Sequence, residues 1–471
     1  MALNLVRNSK VYFTSNVNAS TGVVASSGFT STNTQEIQVL DGFTFSQNTN
    51  QDTITISEAG VAPVRGQRAF NTSLAPVDFS FSTYVRPYNA TTSITCEESV
   101  LWNALFSANA ISAANTITLG GTVSAATYAF ATGEGTITIT GTSMTFAGLA
   151  VDDFVVISGL TGTTDTLIVN SAAQIKTLTA TSITLQLVTP KAAGAAITGI
   201  TIGTVKFYKS AWAPVAAGYS LVSTGGSNVN QLQKFGMLFV VDTVVYQLDN
   251  CAMNQVTIDF GLDAIATLSW TGQATALTET TTTAATIAAG SAAKQTLAPF
   301  ITNKLSTVAF STLNALGAAT AANYTMALTG GSITINNNIT YITPANLGVV
   351  NIPAVYYTGT RSITGTINAY LKTGSGVGST GQLLQDMLAA ASSAVEPMAA
   401  VTVVVGGSAN TNRVELIMPA VTFSVPSVDV QQVVSTAINF TAQGYVPSAT
   451  ANANAFDLSE TNDLTIRYYA A

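Results

Sequence analysis

The 471-residue chain contains no histidine. That removes together the commonest general base, the commonest nitrogen ligand for metals and the side chain that titrates near neutral pH. Charge is scarce as well: Asp, Glu, Lys and Arg make up 8% of the residues, against roughly 25% in an ordinary soluble protein. A monomer stays dispersed through mixed surface charge, so a chain this poor in it is expected to bury its faces against other subunits. The net charge is -7 and the cations are scattered singly, which argues against the clustered basic footprint of a nucleic-acid binder. Cys96 and Cys251 lack C-x-x-C spacing and read as small buried hydrophobes, free thiols in a reducing compartment. Long apolar runs are missing too. The longest, Phe235 to Val241 continuing past Asp242 to Tyr246, falls well short of the ~20 residues that span a bilayer. No apolar segment follows Arg7 and Lys10 as a secretory signal would require. A cytoplasmic product with no membrane partner is expected.

What the chain does have is alternation. Phe43 and Phe45, Phe79 and Phe81, Val256 and Ile258 are each separated by a small or polar residue, the period-two signature of half-buried strands. Two stretches depart from it, Glu97 to Ser107 and Gln382 to Ala391, where leucines recur four apart (Leu101 and Leu105, Leu384 and Leu388) and predict one short helix each. These helices occupy the same place in two matching halves of an internal repeat, after three matched segments. RNSKVYFTS (7–15) corresponds to TNKLSTVAFS (302–311), DGFTFSQN (41–48) to GSITINNN (331–338), and FSFSTY (79–84) to GTINAY (365–370). After each helix come an apolar strand, Phe235–Val241 or Val401–Val405, and a closing strand, LSWTGQ (268–273) or INFTAQ (438–443). The order of elements is the same in both, and a repeat of this kind governs the choice of fold.

Two segments lie outside the repeat. Residues 108–205, rich in Thr, Gly and Ala, carry short strand patterns at 136–139, 154–158, 167–169 and 183–188 between glycine turns and read as a small inserted β-domain. Residues 278–299 are of low complexity and read as a linker. The division is therefore 1–107 with 206–277, the insert 108–205, the linker 278–299, and 300–471. The fold class is all-β, mainly β with one short helix per repeat. The length fits more than one domain.

The motifs RNSKVYF, TNTQEIQVLDGF, EAG followed by PVRGQRAFNTSL, FSFSTYVRPY and GSITINNNITYITP together resemble the major tail tube proteins of long non-contractile-tailed bacteriophages, in the form with two fused tube modules. The resemblance covers about 1–107 and 206–471 and leaves the insert out. It implies two tandem β-sandwich modules in each chain, three chains per pseudo-hexameric ring, and rings stacked into the conduit for DNA ejection. The implied partners are further copies of the chain, a tape measure protein in the lumen before ejection, tail tip and terminator proteins, and phage DNA that passes without sequence-specific binding. The implied location is the virion tail, assembled in the host cytoplasm. Outward projection of the insert is expected, since an inward domain of its size would block the bore.

On that basis one face of each module's sheet lines the lumen. The candidates are Thr44, Ser46, Ser80, Ser82, Thr334, Asn336, Thr364, Thr366, Asn368 and Asn439, with Phe43, Phe45, Phe79, Phe81, Ile333, Ile335, Ile363, Ile367, Ile438 and Phe440 on the buried face. Ordinary sheet behaviour offers a plainer alternative, polar residues facing bulk solvent. The long connections 47–73 and 337–359 are candidate inter-ring contacts through Glu58, Arg65, Arg68, Asn337 and Asn338; simple solvation of these charges is the other reading.

Enzymatic readings find little support. GVGSTG (376–381) matches G-x-G-x-x-G with Glu396 downstream, yet the dinucleotide reading needs a parallel βαβ unit that the surrounding pattern does not offer. Glu97-Glu98 opens a helix, where acids suit the dipole, and Asp152-Asp153 precedes a strand. No catalytic, metal or cofactor site is expected. A surface-layer or adhesin-like β-protein shares the composition but would need export.

Overall fold

The computed structural model describes residues 9–470 apart from 26–27, 30–33, 41, 56–66, 91–92, 113–114, 132–133, 161–171, 188–204, 216–218, 224–230, 262–263, 281–299, 313–322, 373–378, 394–397, 408–411, 425–426, 430–433 and 444–462. Its longest sheet is built from β1 (Thr44–Thr55), β2 (Gln67–Tyr84), β3 (Val244–Asp259), β4 (Thr267–Ala274), β5 (Leu328–Asn336), β6 (Ser362–Tyr370), β7 (Arg413–Phe423), β8 (Ser427–Asp429) and β9 (Ser435–Gln443). The order is β1-β2-β4-β3-β5-β6-β9, with β7 and β8 both laddered to the far side of β9, and every pairing is antiparallel. The first four strands come from the first repeat and the rest from the second. One sheet thus passes through both repeats without a break.

Alternation decides which face is buried. Phe79, Phe81, Ile333, Ile335, Ile363, Ile367, Ile438 and Phe440 are buried in one shared core, and the residues between them turn to the opposite face. Phe43 and Phe45 differ from expectation in being only half-buried. Phe43 immediately precedes β1 and Phe45 lies on it, and among the described residues this last strand of the sheet has a neighbour on one side only.

The second layer of the first repeat is formed by the strands Lys10–Thr14, Thr34–Ile37, Phe235–Val241 and Ala276–Thr280. It is joined to the first layer by β3, whose residues 244–251 ladder with Phe235–Val241 and whose residues 252–259 ladder with β4. Register breaks at Met253/Gln255 and Phe235/Met237 mark the bend, as expected of a strand that changes sheets. β7 does the same in the second repeat, pairing first with Met398–Gly406 and then with β9. The terminal strand β10 (Thr465–Tyr469) flanks β7 as Ala276–Thr280 flanks β3.

The ladders also fix how the repeats correspond. Ser80 lies opposite Thr271 and Thr364 opposite Thr441, so with LSWTGQ matched to INFTAQ, Ser80 corresponds to Thr364. The segment FSFSTY is therefore two residues out of step with GTINAY.

The helices are α1 (Ser99–Phe106) and α2 (Thr380–Ser393). α1 is buried at Leu101, Trp102, Ala104, Leu105 and Phe106, with the Trp102 and Trp270 rings edge-on at 5.0 Å. A separate seven-stranded sheet holds the insert, with a core of its own that includes Ile137, Ile139, Ile175, Leu185 and Phe207. Lys206–Tyr208 ladders into that sheet against Thr116–Thr118 and Phe154–Ser158, just past residue 205. The strand pattern at 167–169 lies outside the described residues. Phe154, Val156 and Ala172 pack against Ala213 and Tyr469, which places the insert on the layer away from the open face of the long sheet.

Candidate functional site

The open face of the long sheet gathers every lumen candidate. Thr44 stands opposite Ser80, Ser82 opposite Ser269, Thr257 opposite Thr334, Thr334 opposite Thr364, and Thr366 opposite Asn439. Their side chains bond across the strands. Thr44 Oγ1 and Ser80 Oγ are 2.8 Å apart, Ser82 Oγ and Ser269 Oγ 3.1 Å, Thr257 Oγ1 and Thr334 Oγ1 3.1 Å, and Thr366 Oγ1 donates to Asn439 Oδ1 at 2.7 Å. Ser46, Asn336 and Asn368 continue the same rows. Ser269, Thr271, Thr257 and Thr441 belong to this face as well, although sequence reasoning did not single them out; the alternation in LSWTGQ and VTID was the available signal. Asp78, which accepts from Gln273 Nε2 at 2.9 Å, and Asp259 are its charged members among the described residues. No Lys or Arg from the core-facing part of these strands is on it.

The sheet ends in two edges. Among the described residues β1 ladders only with β2, while Phe423 at the end of β7 and the whole of β8 ladder only with β9. Unpaired edges of this length template further pairing. How such a junction is made is visible inside the chain, where β3 meets β5: Gln255, Val256, Thr257, Ile258 and Asp259 face Asn336, Ile335, Thr334, Ile333 and Ser332. Phe260 N donates to Gly331 O at 3.1 Å and Asn337 N to Asn254 O at 2.8 Å, so the hydrogen-bonded pairs are 256/335 and 258/333 and the close, non-bonded pair is 257/334. By the correspondence of the repeats, Thr44 takes the place of Thr334. Ser424, whose N–H donates to Asn439 O at 3.1 Å, takes that of Thr257, which faces Ser269.

Further contacts tie the repeats together at this junction. Asn337 Nδ2 donates to Leu105 O at 2.8 Å and to Met253 O at 3.3 Å. The Arg361 guanidinium lies 5.8 Å over the Phe106 ring and bonds Asp463 at 2.7 Å. Trp102 Nε1 donates to Tyr468 OH, and β10 ladders with Tyr219–Ser223 of the first repeat. Asn337 is thus 4% exposed and occupied within the chain, which takes it out of the inter-ring set. Asn338 sits in an exposed turn with φ 50° and donates to Thr360 O at 2.6 Å. Arg68 is exposed on β2 opposite Ile54. Glu58 and Arg65 lie outside the described residues.

The remaining motifs have structural partners. β6, the strand before the glycine-rich segment, is antiparallel to both neighbours, so the parallel unit that a dinucleotide fingerprint needs is not formed there. Residues 373–378 of that segment lie outside the described residues. Asp153 pairs with Lys209 at 3.0 Å. Glu97 is buried against Arg86 at 2.5 Å. Its neighbour Glu98 is also buried, and loss of hydration pushes its carboxyl up to about 7. Cys96 and Cys251 are buried thiols outside any disulfide, with burial raising the Cys251 thiol well above its ordinary value.

A face lined mainly by hydroxyls, without a cationic cluster, on a sheet that among the described residues ends in an edge strand on either side suits a structural protein that assembles. A family model described as phage tail tube protein matches residues 210–442. Tail tube protein pb6 of Escherichia phage T5 is 24% identical over 450 residues, covering 94% of this chain and 73% of that one. Both matches support a structural subunit of the phage tail tube, a component of the virion tail.

Proposed function

We propose that three copies of this chain close a pseudo-hexameric ring, that rings stack into a tube, and that the tube carries the phage genome during ejection. The observation that carries the reading is the β3–β5 junction. It joins two repeats edge to edge, and among the described residues the same two kinds of edge carry no further strand at the end of β7 with β8 and on β1. Repeating that junction between chains turns both edges into joints and ends pairing by closure. The division into two tube modules, an insert and a linker is part of this proposal. The insert then faces outward, because it is seated on the layer behind the open face.

The open face becomes the wall of the bore. Duplex DNA carries one negative charge per ~1.7 Å, so a cationic wall would hold it, whereas hydroxyls, amides and two carboxylates let it slide. The role is geometric and not enzymatic. A tape measure protein occupies the bore before ejection, tip and terminator proteins cap the ends, and assembly takes place in the host cytoplasm.

Negative-stain electron microscopy of the purified chain tests this: hollow tubes with three outer protrusions per ring are expected, and solid sheets or persistent monomers would refute it. In the same preparation Thr364→Lys with Asn439→Lys should convert tubes that ignore duplex DNA into tubes that retain it. Retention should weaken steeply with salt, since each phosphate contact contributes a slope of about -0.9 in log K against log salt. Equal DNA retention by both proteins would remove these residues from the bore.

A further inference from the structure

Two exposed apolar clusters lie at opposite ends of the long sheet. At the end where β5 turns into β6, a hairpin formed by Ile339–Ile342 and Val355–Thr358 roots itself in the chain. Ile339 and Tyr341 are buried, and Tyr341 OH donates to Asn250 O at 2.6 Å. Beyond that root the apolar residues face outward: Leu347 is fully exposed, and Val349, Val350 and Ile352 are about half exposed or more. The tip is held in place, since Leu74 N donates to Asn351 O at 2.8 Å and Asn351 N to Thr72 O at 3.2 Å. No charged residue occurs between Asn336 and Arg361. At the other end, where Tyr84, Thr267, Asp259 and Ser332 align across the strands, Phe300, Leu305 and Ile265 are exposed by 50%, 60% and 36%. Phe300 rests edge-on against Tyr84 at 5.1 Å, and Asn303 N fixes the turn carrying Leu305 by donating to Ala264 O at 2.9 Å.

We propose that the 347–352 tip of one chain seats head-to-tail on the Phe300, Leu305 and Ile265 cluster of a second copy, and that this contact is the axial joint of the stack. It rests on the tube reading above. The occupant follows from three observations. Both clusters are apolar, in a chain where 8% of residues are charged. They lie at the two ends of the same strands, so translation of one copy along the strand direction brings unlike ends together. A contact between unlike surfaces does not close on itself and therefore propagates, as a stack requires. A lipid surface fits less well, because the cation flanking the tip, Arg361, is engaged by Asp463.

Two experiments on the full chain test the joint. Leu347→Asp with Val349→Asp should leave rings and thermal melting unchanged, since both side chains are already solvated, while tubes are lost. Tubes of wild-type length from this variant would overturn the proposal. A wild-type protein that forms no ring would instead count against the tube reading. Independently, Leu347→Cys with Leu305→Cys should give, on oxidation, a ladder of cross-linked chains, with Cys96 and Cys251 silent because they are buried. Absence of that ladder overturns the joint whether or not rings form. Cross-linking by Leu347→Cys alone would mean that like ends meet, which also overturns it.

Discussion

Cysteines introduced at Thr44 and Ser424 should join chains into a covalent trimer on oxidation, seen as a single high-mass band on a non-reducing gel that returns to monomer with reductant. The expectation comes from the internal junction. Thr257 and Thr334 form its close pair, with hydroxyls 3.1 Å apart, and the corresponding positions at the free edges are Ser424 and Thr44. Non-hydrogen-bonded antiparallel pairs bring Cα atoms to about 4.5 Å, within the 4.4–6.8 Å that a disulfide spans. Both positions are exposed in the isolated chain, so the substitutions disturb no core. Either single variant should stay monomeric under the same conditions, because each edge needs the other. A ring of different size would appear as a different closed product. A smear of indefinite length would show edges pairing without closure, and no cross-link would dissolve the junction model.

Much of this fold was legible because a half-buried sheet writes itself as alternation. The period-two runs at Phe43–Ser46, Phe79–Ser82 and Val256–Asp259 are strands with the anticipated faces, and the two leucine pairs lie in the two helices. Register was not legible, for the same physical reason. FSFSTY resembles itself when moved by two, so a slip of two residues keeps every side chain on its proper face. Only the ladders, which set Ser80 beside Thr271 and Thr364 beside Thr441, decide the match with GTINAY. Asn337 illustrates a different limit. A loop asparagine among other amides reads as solvent-facing, yet its amide donates to Leu105 O, 232 positions away. Likewise Tyr341 and Leu347 look alike in an uncharged loop. One is buried through a bond to Asn250 O, and the other is wholly exposed, because contacts distant in sequence determine which part of the loop is the root and which the tip.

Arg86→Met should be the most damaging substitution outside the edges, and Glu98→Gln a stabilising one nearby. Arg86 and Glu97 are 5% and 2% exposed and paired at 2.5 Å, and Glu98 is buried beside them with Oε1 lacking a hydrogen-bond partner. Removing the cation leaves carboxylates uncompensated in an apolar setting, a loss of ~3–5 kcal/mol, read as a large fall in melting temperature. The consequence extends across the junction, because Tyr468 of β10 bonds both Trp102 and Glu98. Glu98 gives the pH dependence. Its folded pKa, about 7, lies above the ordinary 4.5, so the folded chain binds this proton more tightly than the unfolded one. The stability it contributes is complete below about pH 4.5 and is lost as pH rises through 7, a change of ~3 kcal/mol. Glutamine keeps the neutral shape and cannot ionise. Melting measured at pH 4 and pH 8 should therefore show Glu98→Gln gaining on the wild type at pH 8 and nearly matching it at pH 4. Parallel pH profiles would mean that Glu98 titrates as an ordinary carboxylate and that Arg86 neutralises both acids.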